Sequence, residues 1–95
     1  MLQKSYKKTI NVTSEDIING TPSDAECCPI ALAVKRAFGD KLLDIEIDVN
    51  GFRLVTAEGN FVGRPPDNAC GFIHSFDDGV SCEPFEFDIE FVEEG

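Results

Sequence analysis

Between residues 5 and 12 the chain alternates, with Tyr6, Ile10 and Val12 on one side and Lys7, Thr9 and Asn11 on the other. That period of two predicts a strand with one buried face, and Lys8 is its imperfect position. Thr13 or Ser14 then caps a helix of one or two turns, with Glu15 and Asp16 in the first turn and Asn19-Gly20 as the stop. Thr21-Pro22-Ser23-Asp24 reads as a loop. From 29 to 38 the period changes: Ile30, Ala33, Val34, Ala37 and Phe38 follow the i, i+3, i+4, i+7, i+8 stripe of an amphipathic helix. Pro29 suits its first position, Lys35 and Arg36 complement its negative end, and Gly39 suits the residue after the last.

Alternation returns at Leu43, Ile45, Ile47 and Val49, with Asp44, Glu46 and Asp48 between them. Asn50-Gly51 is the preferred pair for a two-residue hairpin turn, which predicts Val49 opposite Phe52, Asp48 opposite Arg53 and Ile47 opposite Leu54. On that reading Gly51 holds a positive φ, and Val in its place damages the turn. Phe61-Val62 forms a further short strand before Arg64-Pro65-Pro66. A second helix runs from Pro66 or Asp67 to Asp77, with Ala69, Phe72, Ile73 and Phe76 inward, Gly71 weakening it and Gly79 ending it. The last run sets Phe85, Phe87, Ile89 and Phe91 against Glu86, Asp88 and Glu90, a strand with one aromatic and one acidic face. These elements predict an α+β fold: a four- or five-stranded, mostly antiparallel sheet with two helices packed on one face.

Composition narrows the picture. Ninety-five residues predict one domain over 1–95, and 42% hydrophobic content with eight Phe supplies its core. No apolar run reaches the roughly 18 residues of a membrane helix, and Met1-Leu2-Gln3-Lys4 leads into polar sequence instead of a signal-peptide core, so the expectation is a soluble, cytoplasmic protein. The net charge of −10 is unevenly spread. Residues 1–41 carry six basic and five acidic side chains, whereas residues 42–95 carry only Arg53 and Arg64 against thirteen carboxylates. Without a basic stripe, direct nucleic-acid binding is disfavoured and a basic protein partner is favoured.

Candidate chemistry is sparse. Cys27, Cys28, Cys70 and Cys82 form no C-x-x-C, and reduced thiols are the expectation. Cys70 and His74 stand i, i+4 on the second helix, a spacing that can place two ligands on one metal, with Cys28 or Cys82 as further candidates. Buried free cysteine and a flanking histidine are the simpler expectation, so neither metal nor cofactor is assigned. Cys28 at a helix N-terminus is a candidate for a lowered pKa unless it is buried. Asp44-x-Glu46-x-Asp48-x-Asn50-Gly51 fails as a calcium loop, because Val49 stands where glycine is needed and Val55 where the bidentate Glu is needed. With no phosphate-binding or catalytic motif present, a non-enzymatic role is expected.

The acidic strand faces remain. Same-face strand residues stand roughly 6.8 Å apart, so Asp44, Glu46 and Asp48 make one ruled row of carboxylates and Glu86, Asp88 and Glu90 a second. Such rows can imitate phosphates and occupy the basic groove of a nucleic-acid-binding protein. The plainer alternative is a sheet that keeps one face wet. Like charges directly opposed repel, so the rows should be separated or interleaved with Lys7 and Arg53. Arg53, Arg64 or the lysines gathered at a pocket would point instead to a phosphate-bearing small ligand, a nucleotide-signal sponge, and convergent thiols to a structural zinc module.

Three stretches taken together carry a resemblance: Asp16-Ile17-Ile18-Asn19-Gly20-Thr21-Pro22, Cys28-Pro29-Ile30-Ala31-Leu32-Ala33-Val34-Lys35-Arg36-Ala37, and Phe72-Ile73-His74-Ser75-Phe76-Asp77-Asp78-Gly79 followed by Glu83-Pro84-Phe85-Glu86-Phe87. Their order and content resemble a group of small uncharacterised proteins of tailed bacteriophages and prophages. The resemblance spans most of the chain outside the central hairpin and brings no catalytic residues with it. It implies a setting among host-takeover and anti-defence factors, CRISPR inhibitors included, and thus an accessory protein that binds and inhibits a basic host target.

Overall fold

The computed structural model describes residues 5–22, 24 and 26–94. Residues 1–4 and Ser23 of the predicted 21–24 loop lie outside the described residues. The elements in chain order are β1 (Ser5–Val12), α1 (Ser14–Asn19), α2 (Pro29–Phe38), a 3-10 turn (Gly39–Lys41), β2 (Leu42–Asp48), β3 (Gly51–Thr56), β4 (Gly59–Gly63), α3 (Asp67–Asp77) and β5 (Phe85–Glu93). The strands form one sheet in the order β1-β5-β4-β3-β2, every neighbouring pair antiparallel. The fold is therefore α+β, with β2, β3 and β4 as a meander and β5 between β4 and β1.

One core joins the sheet to the helices. Ile10 and Val12 of β1, Ile45 and Ile47 of β2, Phe52 and Leu54 of β3, Phe61 of β4, and Phe87, Ile89 and Phe91 of β5 are buried. They join a single cluster with Ile30, Ala31, Ala33 and Val34 of α2 and Ala69 and Phe72 of α3. Helix α2 packs against both edge strands, β1 and β2. Helix α3 joins through its rings, Phe72 stacking on Phe85 of β5 at 4.8 Å between centroids. Lys8 also sits on the core side of its strand, where its Nζ lies 5.3 Å from the Phe38 ring centroid. A cation over an aromatic face explains how the alternation tolerates a charge there.

Helix α1 is held by one carboxylate. Thr13 is its N-cap, and the box is reciprocal: the Asp16 N–H donates to Thr13 Oγ1 at 3.2 Å and the Thr13 N–H to Asp16 Oδ2 at 2.9 Å. Arg36 of α2 donates to both Asp16 oxygens, at 2.8 and 2.9 Å, and to the Asn11 carbonyl at 2.8 Å. The sequence reading places Arg36 at the negative end of its own helix. The structure shows it spanning α2, α1 and β1, a planar fork suited to two carboxylate oxygens at once.

Three local expectations are corrected. The hairpin turn is Val49-Asn50, not Asn50-Gly51: Asp48 pairs with Gly51, Ile47 with Phe52, Glu46 with Arg53 and Ile45 with Leu54. The Asp48 carboxylate accepts the Asn50 N–H at 3.0 Å, closing a side-chain turn one residue earlier. Val49 is thus in the turn, where its carbonyl accepts from the Cys70 thiol at 3.6 Å. Leu43 does not face the core. A register irregularity between Leu42 and Asp44 turns it out to 67% exposure, and Leu42 packs inward in its place.

Gly51 consequently has extended backbone, and its φ is not positive. A Cβ there meets only the Gly63 carbonyl at an ordinary 3.8 Å. Gly51→Val should leave stability within about 0.5 kcal/mol of the parent in urea denaturation, as for other unstrained surface changes. A loss above about 2 kcal/mol would restore the left-handed turn that the sequence suggests.

Candidate functional site: the open face of the sheet

The buried residues of α2 and α3 all join the core on one side of the sheet, which leaves the other side open. Alternation carries Asp44, Glu46 and Asp48 of β2 and Glu86, Asp88 and Glu90 of β5 onto this open side, and all six are exposed. The strand order sets their spacing. Two strands, β3 and β4, intervene between β2 and β5. At about 4.8 Å per strand step the two rows lie roughly 14 Å apart across the sheet, and the registers stagger them: Ile47, Phe52, Gly63 and Phe91 are level, so Asp48 and Glu90 are the facing ends, while Glu46 and Asp44 run one way and Asp88 and Glu86 the other, past the end of β4.

The floor between β2 and the C-terminal end of β5 is mixed. Val55 lies opposite Asp44 and Asn60, Arg53 opposite Glu46 and Val62, and Val62 opposite Val92. On the outer flank of β5, Lys7 faces Glu90, Thr9 faces Asp88 and Asn11 faces Glu86. The structure thus separates the two rows and also interleaves them, with Arg53 and Lys7 as the cations placed opposite individual acids. With Arg64 at the end of β4 as a third cation, six carboxylates against three cations still leave the face negative.

Local hydrogen bonds fix part of the pattern. Asp88 Oδ1 accepts from the Thr9 hydroxyl at 2.6 Å, Asp44 Oδ1 from the Ile45 N–H at 2.8 Å, and Asp48 from Asn50 as above. Each bond uses the Oδ1 atom of its carboxylate. Beside β3, Glu46, Asp48, Arg53, Val62, Arg64 and Glu90 line a shallow concavity of about 740 Å³. Arg64 and the valine floor were not part of the sequence-derived site. Val62 and Val92 fall on the solvent side of strands whose pairing alternation alone does not reveal.

The thiol and imidazole candidates do not gather. Among the described residues no three His, Cys, Asp or Glu side chains are placed to hold a metal. Cys70 and His74 share α3 as expected, but the Cys70 thiol donates to the Val49 and Pro65 carbonyls while His74 is exposed. The Cys82 thiol donates to the Val80 carbonyl at 3.3 Å. Cys28 is the N-cap of α2, where its sulfur accepts the Ala31 N–H at 3.4 Å. Burial dominates there and pushes its pKa up, so the helix N-terminus does not make it a reactive thiolate.

Among the described residues no helix is long and apolar enough to cross a membrane. Comparison with protein-family models, curated proteins and solved structures finds no match to this chain, so its function is argued from the geometry of the open face.

Proposed function

We propose that this chain is a non-enzymatic, cytoplasmic binding protein whose open sheet face docks on a basic, nucleic-acid-binding surface of a host protein and inhibits it. The observation that carries the reading is the pair of carboxylate rows on a face that, among the described residues, no helix covers. A partner evolved to hold phosphates presents Lys and Arg at repeated spacings, and two rows steer it at long range before contact. In a phage setting, a nucleic-acid-dependent defence complex is the partner that fits this chemistry. Arg53 and Arg64 at one concavity favour the second reading, a small phosphate-bearing ligand. Glu46, Asp48 and Glu90 line the same concavity and oppose an anion, so the protein partner is preferred.

The test begins with capture from a bacterial host extract at about 50 and 500 mM salt, followed by titration of the captured partner. Asp44→Asn/Glu46→Gln/Asp48→Asn and Glu86→Gln/Asp88→Asn/Glu90→Gln should each weaken binding at least about tenfold and flatten its salt dependence, because several charge pairs are lost together. Equal affinity in variants whose circular dichroism matches the parent would remove the mechanism.

A further inference from the structure

A second feature lies away from the open face, where the last turn of α2 meets the start of β1 and the β3–β4 turn. Tyr6, Lys8, Phe38, Lys41 and Glu58 line a cavity of about 150 Å³. An apolar cavity of about that volume accepts one benzene-sized ring. Two walls are aromatic and perpendicular: Tyr6 and Phe38 meet edge to face, 6.3 Å between centroids at 88°. Phe61 backs Tyr6 at 5.1 Å and Phe91 backs Phe38 at 5.5 Å, so the corner is held from behind. A ring entering this corner extends an aromatic cluster that already exists.

The charges at the cavity run against the rest of the molecule. On a chain of net charge −10, Lys8 and Lys41 share this one lining with a single carboxylate, Glu58, and Glu93 stands near enough for its charge to act on Tyr6. The Glu58 carboxylate is already engaged, accepting from the Tyr6 hydroxyl at 2.9 Å. Lys8 is also the exception in the β1 alternation, its ammonium held over the Phe38 ring at 5.3 Å from the centroid and so already placed at the aromatic corner. Departures from a local pattern are where functional residues concentrate. The cavity also adjoins the negative end of α2, which disfavours anions and repels a dianion such as a phosphate monoester more strongly than a monoanion.

We propose that this cavity binds a small monocarboxylate built on one six-membered ring, the ring against Tyr6 and Phe38 and the carboxylate between Lys8 and Lys41. The site is independent of the open face, and neither proposal stands or falls with the other.

Tyr6 makes the test direct. The chain has one Tyr and no Trp, so its intrinsic fluorescence comes from a wall of the cavity. Cyclohexanecarboxylate, which is transparent at the excitation wavelength, should change Tyr6 emission saturably. Benzoate followed by calorimetry should bind with Kd of about 0.1–1 mM, the range open to a ligand of this size. Benzamide and phenyl phosphate should each bind at least about tenfold more weakly than benzoate. Lys8→Met and Lys41→Gln should each raise the benzoate Kd about fivefold or more at an unchanged melting temperature. Filling the space with Ala57→Leu, at a turn residue lining the cavity, should abolish binding in a folded protein. No response to either acid up to 10-fold above about 1 mM would overturn the proposal. So would benzamide or phenyl phosphate matching benzoate, or the lysine variants retaining full affinity.

Discussion

Gly63→Val should lower the melting temperature by about 12–20 °C, the shift that a loss of roughly 3 kcal/mol produces in a domain of this size. Gly63 is the last residue of β4 and pairs with Phe91 on the core side of the sheet. A Cβ at this position would lie 2.8 and 2.9 Å from two ring carbons of Phe91 and 3.0 Å from Ile89 Cδ1. Phe91 is wholly buried and in edge contact with Phe38 at 5.5 Å between centroids, so little free space is left for the ring to move into. The glycine is required for the close approach of a ring, since its φ is not positive. Gly63→Ala should cost less, about 2 kcal/mol. Combining Gly63→Ala with Phe91→Leu should cost less than the two single losses added, because the smaller side chain vacates the space the new methyl needs. Additive losses in thermal denaturation would show that the packing argument is wrong. Set beside the near-neutral effect expected at Gly51, the result separates glycines that admit a ring from glycines that merely occupy a strand.

The second large effect is expected at Asp16. The residue is 4% exposed, caps its own helix with Thr13, and receives both arms of Arg36. Asp16→Ala removes the box and leaves the guanidinium without its carboxylate, and should cost about 2–3 kcal/mol by urea denaturation. The lower part of the range for a broken ion pair applies because the Arg36 side chain is half in water. Asp16→Asn keeps the shape and one acceptor and should cost about half as much. The pH dependence has a definite sign. Burial by itself raises the Asp16 carboxyl, but the Arg36 guanidinium and the Thr13 N–H outweigh it and hold it below its ordinary 3.8. The folded protein therefore holds this proton less tightly than the unfolded chain does. The resulting stability is complete above the ordinary value and drains away as the pH falls below it through the folded-state value. The gap between parent and Asp16→Asn should be constant from pH 7 to about 5 and narrow below about 4. A gap that stays constant down to pH 2.5 would mean that the charge on Asp16 contributes nothing.

How far these features could be read from the chain depends on whether a neighbour in sequence or a neighbour in space decides them. The stripe from Ile30 to Phe38, bracketed by Pro29 and Gly39, is a local signal, and α2 begins and ends where it says. The alternating Phe residues of β5 likewise mark its buried face correctly. The hairpin register was not legible. Moving every partner by two residues keeps Ile45, Ile47, Phe52 and Leu54 inward, so alternation cannot distinguish the true pairing from its neighbour. The Asp48 side chain decides it. Asp16 read as an ordinary first-turn acid because its partner stands twenty positions away on another helix. For the open face, the sequence located both carboxylate rows but not their separation and stagger, which follow from strand order and register. The cavity beside Phe38 draws on β1, α2 and the β3–β4 turn, and its one local trace was the misfit of Lys8.

The position of β5 has a consequence for how the protein is made. Of the described strands it is the last in chain order, yet it sits between β1 and β4, and among the described residues it is the one strand that β1 pairs with. A ribosome delivers residues 85–93 only after the other four strands have emerged. Until then β1 lacks its template and the inner edge of β4 is bare, both ready to pair with a neighbouring nascent chain. Closure of the sheet then joins residues some eighty positions apart, a long-range step that makes assembly slow for so small a domain. High-level expression should therefore stress this protein in the interval between the synthesis of β4 and the delivery of residues 85–93.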